Sequence, residues 1–184
     1  ARWGLEWILK TSFGDGFRNE GSVNSRRTNG IIGDFDDVTS TARNTPRSNF
    51  IASASEAIGY RILLESDSRI ANYSLRSAKA DWQFAVDNLD LDGKNSSAAV
   101  WSGSFDSGNV LHETASAGIL ASIELYKATG EKAYADKAVD LAEIIIESQQ
   151  RKNTDWDIPL SGFFYTGPDR KHILHYCHLL YAYY

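Results

Sequence analysis

The 184-residue sequence lacks several features that would have assigned it to a class at once. It has one cysteine, Cys177, which excludes an internal disulfide and a zinc site built from cysteines. Its net charge of −5 and its pI near 5.3 argue against nucleic acid as a partner. No apolar run approaches the roughly 18 residues of a membrane span. The remaining composition, 42% hydrophobic, predicts a globular chain that buries a sizeable core.

Two stretches of the sequence, residues 49–78 and 112–142, repeat the same helical hairpin. In the return helix of each copy, apolar residues match at a constant offset: Ile70 with Tyr134, Ala71 with Ala135, Leu75 with Val139 and Ala78 with Ala142. A hairpin of this kind cannot bury both of its faces alone, so the repeats must stack. The repeat therefore predicts an all-α ring or solenoid.

The hydrophobic periodicity predicts about six helices. The helices are predicted at residues 1–13, from 48 or 49, from 67, at 110–129, at 131–150 and from 171 onward. Ser48 or Asn49 caps the second helix, and Asp67 or Ser66 caps the third. Gly14-Asp-Gly16 ends the first helix, and Gly130 closes the fourth. The first has Trp3 and Trp7 on its apolar face, and the fifth is expected to bury Tyr134, Ala138, Leu141, Ala142 and Ile145. Small residues such as Gly59 and Gly118 should let the helices approach closely. Long loops at 17–47, 87–108 and 152–170 follow helices one, three and five, while the other turns are tight. One rim of the stack therefore carries the long loops, and it is the expected place for a ligand.

Several of these segments resemble glycoside hydrolase family 9. The helical pairs at 67–71, 81–85 and 124–130 are similar to the alanine-rich pairs of that family. The loop segments 29–34 (Asn-Gly-Ile-Ile-Gly-Asp), 37–43 and 162–168 are more specific and resemble a bacterial branch. The resemblance covers roughly residues 3–178 and implies that residues 1–184 are part of a single (α/α)₆ toroid, of which about half of the twelve helices are visible.

The resemblance also implies an activity, the hydrolysis of β-linked glucans or related β-glycosides with inversion at the anomeric carbon. Inversion needs a general base and a general acid whose carboxyl groups lie about 6.5–9.5 Å apart. The family's base lies in an Asp-Ala-Gly-Asp motif, and its acid is a glutamate near the end of the domain. Neither stretch occurs in this sequence. The catalytic carboxylates are therefore expected outside the chain, and the isolated segment is expected to be inactive.

Six residues are candidates for substrate binding. Trp156 and Tyr165 could stack on a sugar ring, although the aromatic residues of this loop could instead plug the rim. Arg43, which precedes the second helix, could reach a sugar hydroxyl or brace its own loop. Asp169 follows these aromatic residues and is a further candidate for substrate binding. His172 and His175 could contact sugar hydroxyls or make structural hydrogen bonds, whereas a metal would need ligands from elsewhere.

No metal and no cofactor is expected. The expected partner is an oligo- or polysaccharide, and the resemblance implies a secreted, periplasmic or cell-surface location. Because half of a toroid leaves apolar faces uncovered, the isolated chain is expected to self-associate.

Two alternatives from other classes stay open at this point. Another carbohydrate-active toroid, such as a glucuronyl hydrolase or a sugar epimerase, would share the architecture and place its catalytic residues elsewhere. A helical-repeat binding module would explain the missing acid and base. The long aromatic loops argue against such a module, because repeat scaffolds keep their turns short and uniform.

Overall fold

Five helices and a small sheet form the part of the chain that the computed structural model describes, which is residues 2–14, 16–23, 39–43, 45–89 and 107–147. The helices are α1 (Arg2–Lys10), α2 (Pro46–Leu63), α3 (Ser68–Asp87), α4 (Ser107–Thr129) and α5 (Lys132–Glu147). The strands are β1 (Ser12–Gly14), β2 (Phe17–Val23) and β3 (Thr39–Arg43). The helices dominate and form an incomplete toroid of the predicted all-α class. The predicted last helix lies outside the described residues.

Helices α2 and α4 are inner helices, and α3 and α5 are outer ones. Six consecutive residues of α4, Thr114 to Ile119, are buried, so every face of that helix is covered. In α3 the buried alanines Ala71, Ala78 and Ala85 recur every seven residues and form one stripe. This alternation of fully buried and one-sided helices is the double layer of a helical toroid. It explains why the inner helices have little sequence amphipathicity.

Small residues bring the helices close together, as the sequence predicts. A Cβ atom at Gly118 of α4 would lie 2.9 Å from the Phe50 ring of α2 and 2.7 Å from the Leu141 side chain of α5. A Cβ atom at Gly59 of α2 would lie 2.6 Å from the side chain of Leu5 in α1. These two glycines therefore allow the contacts that assemble the helical layer.

The tight turns follow the predicted chemistry. Asp67 caps α3, because its side chain accepts a hydrogen bond from the backbone N–H of Ile70 at 3.2 Å. Gly130 closes α4 with φ of 73°, and its N–H donates to the Tyr126 carbonyl at 2.8 Å. The buried residues of α5 are the five that the periodicity predicts: Tyr134, Ala138, Leu141, Ala142 and Ile145.

The prediction of a long loop over residues 17–47 was wrong in part. Strands β1, β2 and β3 pair in that order as an antiparallel sheet, with a register irregularity between Asn19 and Gly21. Helix α1 ends at Lys10, earlier than predicted, because the chain turns into β1. Gly14 and Gly16, with φ of 79° and 80°, shape the β1–β2 turn and do not end the helix.

Other predicted boundaries and contacts also differ. Helix α2 begins at Pro46, with Thr45 at the N-cap position, because proline has the backbone φ that the first helical position requires. Helix α4 begins at Ser107 and not at Val110. Trp3 and Trp7 were expected on a buried face, but they are 82% and 48% exposed, since α1 packs through Leu5 and Leu9. Among the described helices, none combines the length and apolar character needed to cross a membrane.

Candidate functional site

The amino ends of α2 and α4 lie at the same end of the helical layer. Phe50 packs at Gly118, and Arg61 pairs with Glu124 further along both helices, so the two helices run in the same direction. Helix α3 runs opposite to α2, because the tight turn at residues 64–67 joins them and the Ser53 hydroxyl in the middle of α2 donates to the Ala78 carbonyl in the middle of α3 at 2.8 Å. The ends of α2, α3 and α4 that join the long connections therefore share one rim, while the tight turns lie at the other.

The three-stranded sheet lies on this rim. The side-chain amide of Asn49, in the first turn of α2, donates to the Gly16 carbonyl in the β1–β2 turn at 2.9 Å. A Cβ atom on Gly16 would lie 2.2 Å from the ring of Phe84, near the end of α3. The turn thus rests on the start of α2 and the end of α3, and the close ring leaves room there for glycine alone.

Of the predicted substrate-binding residues, Arg43 is the one that falls in the described part of the chain. It is the last residue of β3, its Cα atom pairs with that of Arg18 in β2, and α2 begins at Pro46 shortly after it. Its backbone therefore lies at the rim, and its role in substrate binding stays a prediction. The five other candidates lie outside the described residues and stay predictions: Trp156, Tyr165, Asp169, His172 and His175.

A buried ion cluster joins the sheet to the helices, and the sequence did not predict it. Nη2 of Arg18 contacts Oε1 of Glu56 in α2 at 2.7 Å and also pairs with Oδ2 of Asp81 in α3. The three residues are at most 5% exposed. One guanidinium therefore bridges carboxyl groups from two helices in a site that excludes bulk water.

Neighbouring polar groups fix the orientation of this cluster. Nη1 of Arg18 donates to the Ile8 carbonyl at the end of α1 at 2.9 Å and to the Thr11 hydroxyl at 3.2 Å. The Ser77 hydroxyl of α3 hydrogen-bonds to Oε1 of Glu56 at 3.0 Å. Arg18 thereby contacts three helical segments from one position in β2, and its planar fork holds that geometry.

Burial raises the pKa of Glu56 to about 8, and the nearby charge of Asp81 adds to this effect, while Arg18 partly opposes it. Burial disfavours the charged guanidinium of Arg18, but its contacts with Asp81 and Glu56 outweigh that cost and raise its pKa. The cluster joins one guanidinium to two carboxyl groups, so one bound proton balances its charge, and a buried site favours that balance.

Glu56 and Asp81 are not arranged as the acid and base of an inverting glycosidase. Both bind one nitrogen atom, so their interacting oxygens are closer than the roughly 6.5–9.5 Å that such a pair requires. The Arg18 guanidinium also occupies the space between them, where a water molecule and a sugar would need to lie. The cluster anchors the sheet and does not carry the expected chemistry.

A small cavity borders this anchor between the β1–β2 turn and α3. Its volume is about 200 Å³, and it is lined by Ser12, Gly14, Gly16, Ser77, Ala80, Asp81 and Phe84. Within the described ranges, no three His, Cys, Asp or Glu side chains converge as a metal site would require. The cavity is large enough for several water molecules beside Asp81 and Ser77.

Two features of the sequence could have indicated the anchor. Glu56 lies in an Ala-Ser-Glu-Ala stretch of a helix whose other residues are mostly small or apolar, and a buried glutamate needs a partner. Asp81 lies on the stripe of α3 between Ala78 and Ala85. The partner Arg18 gave no such signal, since it lies in a polar stretch far away in the sequence.

Comparison with models of known protein families gives a match. The family model described as Glycosyl hydrolase family 9 matches residues 1–169, which include every helix and strand described above and the buried anchor. No curated protein is significantly similar to the chain. The match favours this family over the other toroidal enzymes and over a repeat module.

Proposed function

The chain belongs to glycosyl hydrolase family 9, and from this membership we propose that it takes part in the hydrolysis of β-linked glucans or related β-glycosides, with inversion at the anomeric carbon. The observation that carries the proposal is the family match over residues 1–169, joined to a helical layer in which the helix ends that lead into the long connections share one rim. Rims of this kind are where helical toroids and repeats carry ligands. The proposed substrate is an oligo- or polysaccharide of the type that cellulases degrade, met outside the cell or at its surface.

In the proposed reaction, a carboxylate takes a proton from water as the water oxygen attacks the anomeric carbon, and a carboxylic acid protonates the departing oxygen. Glu56 and Asp81 cannot supply this pair, because Arg18 holds them together in the core. The sequence also contains no Asp-Ala-Gly-Asp motif. We therefore propose that the acid and base come from outside these 184 residues, and that this chain contributes substrate binding.

The proposed binding groups lie at the rim and along the segment that follows α5. Arg43 ends the strand that leads into α2, where its guanidinium could donate to sugar hydroxyls. Trp156 and Tyr165 offer faces for the C–H groups of a sugar ring. Asp169, His172 and His175 offer hydrogen bonds to hydroxyl groups. Self-association is a further proposal, supported by exposed apolar side chains such as Trp3 and Ile62.

Calorimetric titration with a β-1,4-linked glucose oligosaccharide tests the binding role. We expect Arg43→Ala and Trp156→Ala each to weaken binding by about tenfold, the effect of losing a hydrogen bond to a charged group or a stacking surface. Arg69→Ala is the matched control, because Arg69 is an exposed arginine in the first turn of α3, at the opposite rim. An α-1,4-linked oligosaccharide of equal length is the ligand control.

Two results would count against the proposal. Equal binding by the Arg43, Trp156 and Arg69 variants would remove the rim as the binding surface. Steady release of reducing sugar by the 184-residue chain alone would contradict the placement of the acid and base outside it, while leaving the glycosidase assignment intact.

A further inference from the structure

The sheet is attached to the helices through one side chain that contacts three of them. Arg18 of β2 reaches the Ile8 carbonyl of α1, Glu56 of α2 and Asp81 of α3. In the backbone ladder Arg18 is also the partner of Arg43, which ends β3. Any change that loosens Arg18 therefore displaces both strands, together with the segment that leads into α2.

The charges of Arg18, Glu56 and Asp81 balance when one of the two carboxyl groups carries a proton. In the described part of the chain, the charged groups facing Glu56 are Arg18 from β2 and Asp81 from α3. If Glu56 loses its proton, one guanidinium faces two carboxylates in a site shielded from bulk water. Oε2 of Glu56 is buried and has no hydrogen-bond partner among the described residues, so the added negative charge would be poorly solvated.

Protons can reach the buried carboxyl group from solvent. The cavity of about 200 Å³ is lined by Ser77 and Asp81. The Ser77 hydroxyl is hydrogen-bonded to Glu56 at 3.0 Å, and Asp81 shares the guanidinium with it. The Ser77 hydroxyl therefore links Glu56 to a space large enough for water. The protonation of Glu56 can equilibrate with the pH of the medium through it.

We propose that Arg18, Glu56 and Asp81 form a pH-sensitive clamp, closed while Glu56 carries a proton and loosened when that proton is lost, which fastens strands β2 and β3 to helices α2 and α3. The clamp goes beyond the proposed function, because it concerns the position of the rim and not the identity of the ligand. It favours the ordered sheet most strongly in acidic media and progressively less as the pH rises toward about 8.

The direction of the effect follows from proton linkage. The ordinary pKa of a glutamate is 4.5, and in the closed clamp the pKa of Glu56 is about 8. The closed clamp binds this proton more tightly than the open one does. The stability that the proton gives to the closed clamp is therefore complete below the ordinary pKa, and it is lost as the pH rises through the higher pKa. The equilibrium constant for opening rises by about tenfold for each pH unit between about 5.5 and 7.5, then levels off above about 8.

Hydrogen–deuterium exchange of the intact chain measures this opening without any saccharide. Exchange is followed from pH 5.5 to 9 and corrected for the intrinsic pH dependence of amide exchange. We expect protection in β2 and β3 to fall with the slope given above, while protection in α4 and α5 changes much less. Because no ligand is needed, this outcome is independent of the saccharide-binding test.

The variant Glu56→Gln keeps the shape of the carboxyl group and cannot ionise, so its strands should lose the pH dependence. Glu131→Gln is the matched control, since Glu131 is an exposed glutamate that pairs with Lys79 at 2.6 Å. If Glu56→Gln does not fold, the pH series on the unaltered chain still decides. Strand protection that does not vary with pH would overturn the proposal, as would an equal loss in α4 and α5 or a slope retained in Glu56→Gln.

Discussion

Helix α2 takes part in two interfaces that are built in opposite ways. Toward α4 and α5 it presents Phe50, an apolar ring that packs at Gly118 in the same buried cluster as Leu141. Toward α3 and the sheet it presents Glu56, which is paired with Arg18. Both side chains are fully buried, yet the first contact depends on the fit of an apolar ring and the second on charge.

The difference lies in what each interface can respond to. The Phe50 contact depends on how well the ring fills the space between the helices. Its stability should therefore be insensitive to pH and sensitive to a change in side-chain size. The Arg18 contact depends on balanced charge, and a buried ion pair contributes orientation more dependably than it contributes net stability. The toroid layer is thus held by an apolar interface, while the attached sheet is positioned by a titratable one.

The largest expected effect comes from breaking the apolar interface. Phe50→Ala removes a fully buried ring among three helices, and we expect the free energy of unfolding to fall by about 3–5 kcal/mol at every pH. Urea denaturation at pH 5 and pH 7 measures it. Ile62→Ala is the control, because Ile62 lies on the same helix and is 63% exposed. A loss confined to one pH would mean that packing does not dominate this interface.

Breaking the charged interface should give a comparable or somewhat smaller loss that depends on pH. Arg18→Met leaves Glu56 and Asp81 facing each other without a cation, and we expect a cost of about 3–5 kcal/mol at pH 7. At pH 5 the cost should be smaller, because the carboxyl group that is left charged without its cation is more readily neutralised by protonation there. The same denaturation series measures both values.

Lys79→Met is the control for this variant, since Lys79 forms a half-exposed ion pair with Glu131 and such pairs contribute little. An Arg18→Met cost that is identical at both pH values would contradict the division between the two interfaces. It would mean that the loss of packing around the side chain, and not the loss of its charge, determines the stability of this region.

The apolar interface was largely predictable from sequence, because its signals are local. Helical periodicity identified all five buried residues of α5, and the side chain of Asp67 and the backbone of Gly130 marked the two helix ends. These features depend on residues within one or two turns of each other. The sequence alone was therefore enough to place them.

The charged interface was not predictable, because its parts are far apart. Arg18 lies 38 residues from Glu56 and 63 from Asp81. The strand that carries Arg18 is polar between Phe17 and Val23, so alternation of apolar and polar residues does not reveal it. The exposure of Trp3 and Trp7 was missed for a related reason, since the number of neighbours around α1 is a tertiary property.

A polar contact between α3 and α4, next to the apolar interface of α2, gives the finest comparison. It also has the smallest expected effect. The indole N–H of Trp82 in α3 donates to the Ser122 hydroxyl in α4 at 2.8 Å, and the ring meets Tyr134 edge to face with centroids 4.8 Å apart. Trp82→Phe keeps an aromatic ring and removes the donor, leaving the buried Ser122 hydroxyl unpaired. We expect a loss of about 1–2 kcal/mol with no dependence on pH, because both partners are neutral.

The double variant Trp82→Phe/Ser122→Ala separates the hydrogen bond from the packing. Removing both partners leaves no unpaired polar group, so the double variant should be no less stable than Trp82→Phe alone. Denaturation at pH 5 and pH 7 again provides the measurement. A pH-dependent loss in Trp82→Phe would show that the influence of the neighbouring Asp81 extends into the core, and that the two interfaces of α2 are coupled through α3. A pH-independent loss would confine titration to the side of α2 that faces the sheet.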